Sequence, residues 1–162
     1  MKRIEIRRIW KLIALGGLAG GTAEVLWVTL YAAATGISAT EVARQVTASL
    51  WAEAANWSTA PALGIAIHMA LALVLAALCA PLLLRIARHA PPAAITILGV
   101  GALTLVWAVN FFLVLPTLNP AFVGLMPYAA TLVSKMLFGY AMASVLRRAR
   151  LSRSKSETRR TR

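Results

Sequence analysis

The chain has 162 residues, of which 60% are hydrophobic, and it carries a net charge of +12. An apolar content this high, gathered in long runs, argues against a soluble domain and is typical of membrane-spanning helices. The positive charge does not indicate a nucleic-acid-binding protein. The basic residues lie at the ends of the apolar runs and in residues 147–162, as topology signals do. The single cysteine, Cys79, excludes an intramolecular disulfide and a cysteine-rich metal site.

Four apolar runs approach the length of about 20 residues that a helix needs to cross a bilayer. They comprise residues 12–34, 61–84, 93–115 and 128–146. We therefore predict an all-α, polytopic membrane protein with a four-helix transmembrane domain at 12–146. A basic N-terminus at 1–11 precedes this domain, and a basic tail at 147–162 follows it. The first run is too long for a signal peptide and contains Glu24, which favours a retained helix, although Ala32-Ala33-Ala34 leaves cleavage open.

The basic residues are distributed unevenly between the two sides of these runs. Five precede the first run, two lie in the 85–92 connection and eight lie in the tail, so fifteen of the 17 are on one side. The opposite connections contain only Arg44, and Lys135 lies within a run. This bias predicts that both termini are cytoplasmic.

The first run contains two overlapping G-x-x-x-G pairs, Gly16/Gly20 and Gly17/Gly21. Helices in lipid gain no hydrophobic drive to associate, and small residues allow the close backbone approach that replaces it. We therefore expect these four glycines, and Gly139 in the last run, to lie at tight helix contacts. The pattern does not decide whether the contacting helix belongs to the same bundle or to another subunit.

The first outer connection, residues 37–55, contains the pattern of a short amphipathic helix. Ser38 and Glu41 form a capping box. An apolar stripe then repeats at every fourth residue: Val42, Val46 and Leu50. The helix either lies on the membrane surface, with Trp51 and Trp57 at headgroup depth, or docks over the mouth of the bundle as a lid or partner platform. The sequence leaves both arrangements open.

Two further segments are expected at the membrane surfaces. The second outer connection, 116–127, has no charged residue, so we expect it to pack against protein or to enter the membrane interface. The tail is polar and basic, which predicts disorder. We expect it to bind anionic lipid headgroups through Arg147, Arg148 and Arg150.

Each apolar run contains one strongly polar residue: Glu24, His68, Asn110 and Lys135 in chain order. An ionisable side chain within a span is costly and marks either a functional site or a paired structural contact. At about 1.5 Å of rise per residue, all four lie roughly 8–15 Å from the outer ends of their helices and could meet in one layer.

Three interpretations of this intramembrane polar layer remain open. In the first, which we favour, Glu24 and Lys135 form a buried ion pair, and His68 and Asn110 satisfy the remaining donors and acceptors. In the second, the layer is a proton or ion relay that opens to the outside. In the third, it binds a helix of a partner subunit.

The sequence offers little for catalysis or for cofactor binding. His68 is the one histidine within a run, since His89 lies in the basic turn, so a bis-histidine haem site is excluded. The chain has no Asp and no Walker, Rossmann or G-x-S-x-G motif. Ser134 precedes Lys135 as in a Ser/Lys dyad, but adjacent residues on a helix do not face one another. We therefore predict that the protein is not an enzyme and binds neither a cofactor nor a metal.

The last run contains the segment Ser134-Lys135-Met136-Leu137-Phe138-Gly139, in which polar residues precede a Phe-Gly pair. With its Gly-rich first helix, the chain resembles uncharacterised bacterial four-span integral membrane proteins, and the resemblance covers the four spans. In that group a histidine stands where this chain has Lys135. The resemblance therefore implies the fold, and it implies no shared site chemistry and no activity.

We expect a non-catalytic accessory or structural subunit of a larger bacterial inner-membrane complex, such as a respiratory complex. The reasons are the small size, the lack of catalytic or cofactor motifs and the G-x-x-x-G surfaces. Its partners would be membrane lipids and other integral membrane subunits, with no nucleic acid. The alternative is a small oligomeric transporter or a proton- or ion-conducting protein that uses Glu24, His68 and Lys135.

Overall fold

The computed structural model describes residues 3–86 and 90–160, and it describes side chains for residues 7–86 and 90–152. Its α-helices are α1 (Arg3–Thr35), α2 (Ala39–Leu50), α3 (Ala60–Ile86), α4 (Pro92–Val109), α5 (Leu115–Leu118), α6 (Pro120–Leu125) and α7 (Tyr128–Arg160). A 3₁₀ turn at Glu53–Asn56 precedes α3, and a π-helical turn at Asn110–Val114 joins α4 to α5. The fold is 91% helical and no strand occurs in the described part, which confirms the all-α prediction.

Four helical segments are long and apolar enough to span a membrane, as the sequence predicts. They are Arg7–Thr35, Ala60–Ile86, Pro92–Leu118 and Tyr128–Ser152. The bundle has two ends. At the basic end, α1 begins, the 87–91 segment connects α3 to α4, and α7 passes Arg147. At the α2 end lie α2, the 3₁₀ turn, α5 and α6, which together we name the α2 cap.

The tail differs from the sequence prediction of disorder. α7 continues as a helix from Tyr128 to Arg160, across the predicted boundary at 146/147. The physical reason lies in the residues that follow Leu146. No Gly or Pro interrupts them, and Arg, Lys, Leu and Glu are good helix formers. The spanning helix therefore continues into the polar, basic tail.

The two glycine pairs of α1 lie against two different helices. A Cβ on Gly16 or Gly20 would contact α7, at Met142 and at the Phe138 ring. On Gly17 or Gly21, it would instead contact α3, at Leu73, Ala72 and Met69. Adjacent helical residues point about 100° apart, so pairs offset by one residue face two neighbours. Both sets of contacts are within this chain, which places α1 between α3 and α7.

The other close crossing in the bundle joins α7 to α4. A Cβ on Gly139 would lie 2.8 Å from the Gly99 carbonyl oxygen, and a Cβ on Gly99 would lie 3.0 Å from the Ala143 Cβ. Fully buried side chains fill the space between the helices at this level: Ile95, Leu103, Phe138, Met142 and Leu146. The glycine crossings allow the backbones to approach, and these larger side chains complete the core.

The amphipathic helix α2 docks on the bundle, which is the second of the two arrangements the sequence left open. Gly64 of α3 lies against the Ala43 carbonyl of α2, where a Cβ would overlap with the carbonyl. Thr47 is fully buried and its hydroxyl donates to the Ala60 carbonyl at 2.6 Å. Val42 is buried with Met126 in a small apolar cluster.

The predicted stripe is thus only partly covered. Leu50, at the end of α2, is 61% exposed beside the edge-to-face pair of Trp51 and Trp57. At the other end of α2, Ser38 accepts a hydrogen bond from the Glu41 amide at 3.2 Å, as an N-cap does. The Glu41 carboxylate contacts Gln45 and Arg44.

The second connection packs against α2 through the Met126 cluster and through a buried polar side chain, Asn119. Asn119 is 7% exposed, and its amide nitrogen lies 3.0 Å from the Gln45 carbonyl and 3.0 Å from the Ser49 hydroxyl. The Asn119 side-chain oxygen accepts the Phe122 amide and so caps α6. The uncharged segment thus contacts protein, as expected, and together with α2 it covers this end of the bundle.

The third span changes helical register near Pro116. Pro116 has no amide hydrogen, so the α-helical bond to the Phe112 carbonyl is missing. One residue earlier, the Leu115 amide bonds to the Asn110 carbonyl, which is the wider spacing of a π turn. The rearranged turn keeps Phe111 and Leu115 buried with Trp107.

Candidate functional site

The most unusual chemistry in the described structure is a buried carboxylate, Glu24, where α1 meets α3 and α7. Its exposure is only 3%. One oxygen, Oε2, lies 2.9 Å from the Lys135 Nζ, and the other, Oε1, accepts a hydrogen bond from the Ser134 hydroxyl at 3.1 Å. Two consecutive residues of α7 therefore bind the two oxygens of one carboxylate.

The helix crossing explains why Ser134 takes part. α1 and α7 run antiparallel, and Gly20 lies against Phe138. One helical turn towards the α2 end leads from Gly20 to Glu24 on α1 and from Phe138 to Ser134 on α7. These two residues must therefore face each other. Ser134 is not among the residues predicted for the polar layer, because next to Lys135 it reads only as a sequence neighbour, although its four-residue spacing from Phe138 was a usable signal.

His68 reaches the same carboxylate from α3. It lies on the small-residue face that includes Gly64 and Ala72, and its Nε2 is 3.5 Å from the Glu24 Oε2. That separation is too long for a good direct hydrogen bond. Within residues 7–86 and 90–152, this buried Nε2 atom has no hydrogen-bond partner. His68 is thus close enough to interact with Glu24 electrostatically but is not bound by it.

Asn110 is set apart from the other three polar residues. It begins the π turn, and among the described residues no hydrogen bond joins its side chain to Glu24, His68 or Lys135. Depth along the helix placed all four residues in one layer, but depth says nothing about the direction in which a side chain points. The observed group, which we name the polar cluster, consists of Glu24, His68, Ser134 and Lys135.

The electrostatics of the polar cluster are those of an enclosed ion pair. The Glu24 side chain is 4% exposed and that of Lys135 is 18% exposed, so both charges are largely withdrawn from water. The Lys135 Nζ also lies 5.3 Å from the centre of the Phe138 ring, within reach of a cation–π interaction. Mutual neutralisation at 2.9 Å, with Ser134 satisfying the second oxygen, offsets the desolvation of both groups.

Apolar layers lie on both sides of the polar cluster along the bundle axis. Towards the basic end, Phe138 and Met142 are completely buried. Towards the α2 end lies the apolar cluster of Val42, Met126 and Ala130. The arrangement is suited to holding α1 and α7 together through one carboxylate, with His68 of α3 beside it. Proton exchange between Glu24 and His68 is the other chemistry that the geometry permits.

Metal and cofactor ligands are sparse in the parts of the chain described. Among those residues no group of three or more His, Cys, Asp or Glu side chains could hold a metal ion. Glu24 and His68 are the two such residues in the polar cluster, and His89 lies outside the described residues.

No protein-family model, curated protein or solved structure matches this chain. The resemblance to bacterial four-span membrane proteins therefore stays a prediction. Function has to be inferred from the polar cluster and from the surfaces of the bundle.

The predicted headgroup-binding arginines lie at the basic end. Arg148 is exposed, whereas Arg147 and Arg150 are partly buried. The Arg150 guanidinium donates to the Ala90 carbonyl at 2.9 Å, which ties α7 to the segment before α4. These arginines lie on a continuous helix and not on a disordered tail.

Proposed function

We propose that this protein is a non-catalytic accessory subunit of a larger complex in the inner membrane of a bacterium, with both termini in the cytoplasm. One observation carries the proposal. The Glu24 carboxylate is enclosed and bonded by Ser134 and Lys135, between apolar layers. A carboxylate held in this way connects helices and does not meet a substrate, so the most distinctive chemistry of the chain serves assembly.

The outer faces of the bundle support a lateral role in the membrane. Large apolar side chains are exposed along the spans, and on α3 they recur at helical spacing: Leu71, Val74, Leu78 and Leu82. In a bilayer such a face contacts lipid or an apolar helix of another subunit.

A second candidate function is a small oligomeric transporter or proton-conducting protein. It is favoured by His68, whose Nε2 lies 3.5 Å from Glu24 without a hydrogen bond among the described residues. An imidazole beside a carboxylate can pass a proton if a pathway reaches it. The same pair would then act as a relay, in place of its role as a structural contact.

The two candidates give different results on purification. Isolation of the tagged chain from its native membranes in mild detergent should recover a fixed stoichiometric set of other integral membrane subunits. Recovery of this chain alone, as a homo-oligomer, would contradict the accessory-subunit proposal and favour the transporter.

Flux measurements test the role of His68 directly. Purified protein in liposomes should carry no more protons than protein-free liposomes, and His68→Phe should leave this baseline unchanged, because the carboxylate beside His68 is enclosed. Leu71→Ala, on the exposed face of the same helix, is the matched control. A proton flux that His68→Phe abolishes and Leu71→Ala preserves would establish the transporter.

The orientation is tested by cysteine labelling in a Cys79→Ala background. Ser58 and Thr117 are exposed at the α2 end, and Ser154 follows the last span at the basic end. In intact cells, a membrane-impermeant maleimide should label Ser58→Cys and Thr117→Cys and should label Ser154→Cys only after permeabilisation. The reverse pattern would place the termini outside.

A further inference from the structure

The basic end collects cations from several helices at one level of the bundle. Ile9, Leu84 and Leu146 pack against the same hydrophobic cluster. Each is followed or preceded in the chain by an arginine, and these are Arg8 on α1, Arg85 on α3 and Arg147 on α7. The three helices therefore present positive charge at the same depth.

One contact brings two of these helices into register. The Arg8 guanidinium of α1 donates to the Ala149 carbonyl of α7 at 3.0 Å. Arg148 precedes Ala149 and is exposed. Ala130 of α7 accepts a hydrogen bond from Trp27 of α1. Arg148 lies about five whole helical turns after Ala130, so it lies on the same flank of α7. Arg8 and Arg148 thus lie on either side of the groove between α1 and α7.

Two arginines on the flanks of one groove repel each other and attract an anion. Among the side chains described at this end, none is acidic, and Glu24 lies about 24 Å from Arg8 along α1. Glu5 and Glu157 lie outside the described side chains, but fifteen basic residues on this side outnumber those two acids. The groove therefore attracts an anion, and a guanidinium pair matches the geometry of a phosphate.

Apolar surface continues from the two arginines into the membrane-spanning part of the groove. Leu15 lies two turns beyond Arg8 on the same flank of α1 and is 56% exposed. On α7 the corresponding position is the small residue Ala141, two turns from Arg148. Paired cations at the membrane surface, followed by a groove between an exposed Leu and an Ala, fit a headgroup phosphate with its acyl chain.

We infer that the groove between α1 and α7 at the basic end is a binding site for an anionic phospholipid, with its phosphate at Arg8 and Arg148. The inference differs from a diffuse attraction between lipid and the C-terminal residues, because it requires one residue from each helix. It is independent of the proposed accessory role, since a transporter would present the same site.

The site is tested by the thermal stability of the full chain in a neutral detergent, titrated with cardiolipin, phosphatidylglycerol, phosphatidylcholine or inorganic phosphate. Cardiolipin and phosphatidylglycerol should raise the melting temperature, and phosphatidylcholine and inorganic phosphate should not. The double variant Arg8→Gln, Arg148→Gln should bind the anionic lipids roughly 30-fold more weakly. Arg159→Gln, Arg160→Gln removes the same charge beyond the groove and should bind like the wild type.

Each other outcome would overturn the site. An equal loss in both double variants would mean that binding is diffuse. Stabilisation by inorganic phosphate equal to that by the anionic lipids would mean that the groove takes free phosphate, and an equal response to phosphatidylcholine would remove the charge requirement. Arg8→Lys, Arg148→Lys keeps the charge and guards against a folding defect. If the Gln variant binds the anionic lipids as tightly as the wild type while it shows the wild-type helical circular dichroism, Arg8 and Arg148 do not form the site.

Discussion

Replacing Lys135 with Met should lower the free energy of unfolding by about 3 kcal/mol, because it leaves the buried Glu24 carboxylate without its cation. Glu24 is 4% exposed at the side chain, so water does little to compensate for the lost ion pair. The variant keeps the Ser134 hydrogen bond to Oε1, which limits the loss. Unfolding with sodium dodecyl sulfate in mixed micelles measures the difference.

Adding Glu24→Gln to Lys135→Met should restore part of this stability. A glutamine is neutral, its side-chain oxygen can accept the Ser134 hydroxyl, and its amide can donate to the unpartnered His68 Nε2. The double variant should therefore be more stable than the sum of the two single variants predicts by at least about 1 kcal/mol.

A residue next to Lys135 on the outer face of α7 provides the control for this comparison of single and double variants. Met136 is exposed on α7, and Met136→Ala should change the stability by less than about 0.5 kcal/mol. Strict additivity of the Glu24 and Lys135 substitutions would mean that the ion pair contributes nothing to the stability of the bundle.

The number of spanning helices could be predicted from the sequence because the bilayer imposes a length and a composition on each of them. Gly16 and Gly20, read with Gly17 and Gly21, also indicate that α1 has two contact faces, because a shift of one residue turns the contact by about 100°. Such patterns do not predict which helix lies on the other side of each contact. Phe138 opposite Gly20, for example, becomes known only once the helices are assembled.

The polar cluster shows where the sequence analysis reaches its limit. Charge complementarity and depth suggested that Glu24 and Lys135 pair, and the structure places them 2.9 Å apart. The same depth rule grouped Asn110 with them, although in the part of the chain that the structure describes no hydrogen bond joins its side chain to the other three residues. It omitted Ser134, whose role depends on the rotation of α7 against α1. The rotation of a helix about its axis is set by side-chain packing across the whole helix–helix contact. The sequence of a single chain contains this information only indirectly.

The segments outside the spans also show that local patterns predict an element but not its contacts. The stripe on α2 indicates an amphipathic helix, but lipid and protein both cover apolar side chains, so the stripe alone leaves the docking site open. Docking is decided by the Gly64 crossing and by the bonds of Thr47 and Asn119, which are long-range contacts. Composition alone was misleading for the tail after Arg147, because neither a Gly nor a Pro ends the helix there.

Gly139→Ala should destabilise the bundle by about 2–3 kcal/mol, because its Cβ would meet backbone atoms of α4. The Cβ would lie 2.8 Å from the Gly99 carbonyl oxygen and 2.9 Å from the Val100 Cα. Backbone atoms in a helix do not rotate away, so α4 and α7 must separate. Gly20→Ala should cost less, although its Cβ would approach the Phe138 ring at 2.7 Å, because a side chain can adjust.

Gly101→Ala is the matched control, since Gly101 lies in α4 two residues from Gly99 and a Cβ there would meet no described atom within 4 Å. The substitution should be neutral or stabilising by up to about 1 kcal/mol, the difference in helix propensity between Gly and Ala. Unfolding in mixed micelles should therefore rank Gly101→Ala as most stable, then Gly20→Ala, then Gly139→Ala. If Gly101→Ala destabilises the protein as much as Gly139→Ala does, the α4–α7 crossing is looser than the glycine contact implies. The loss would then come from a general property of glycine in the spans.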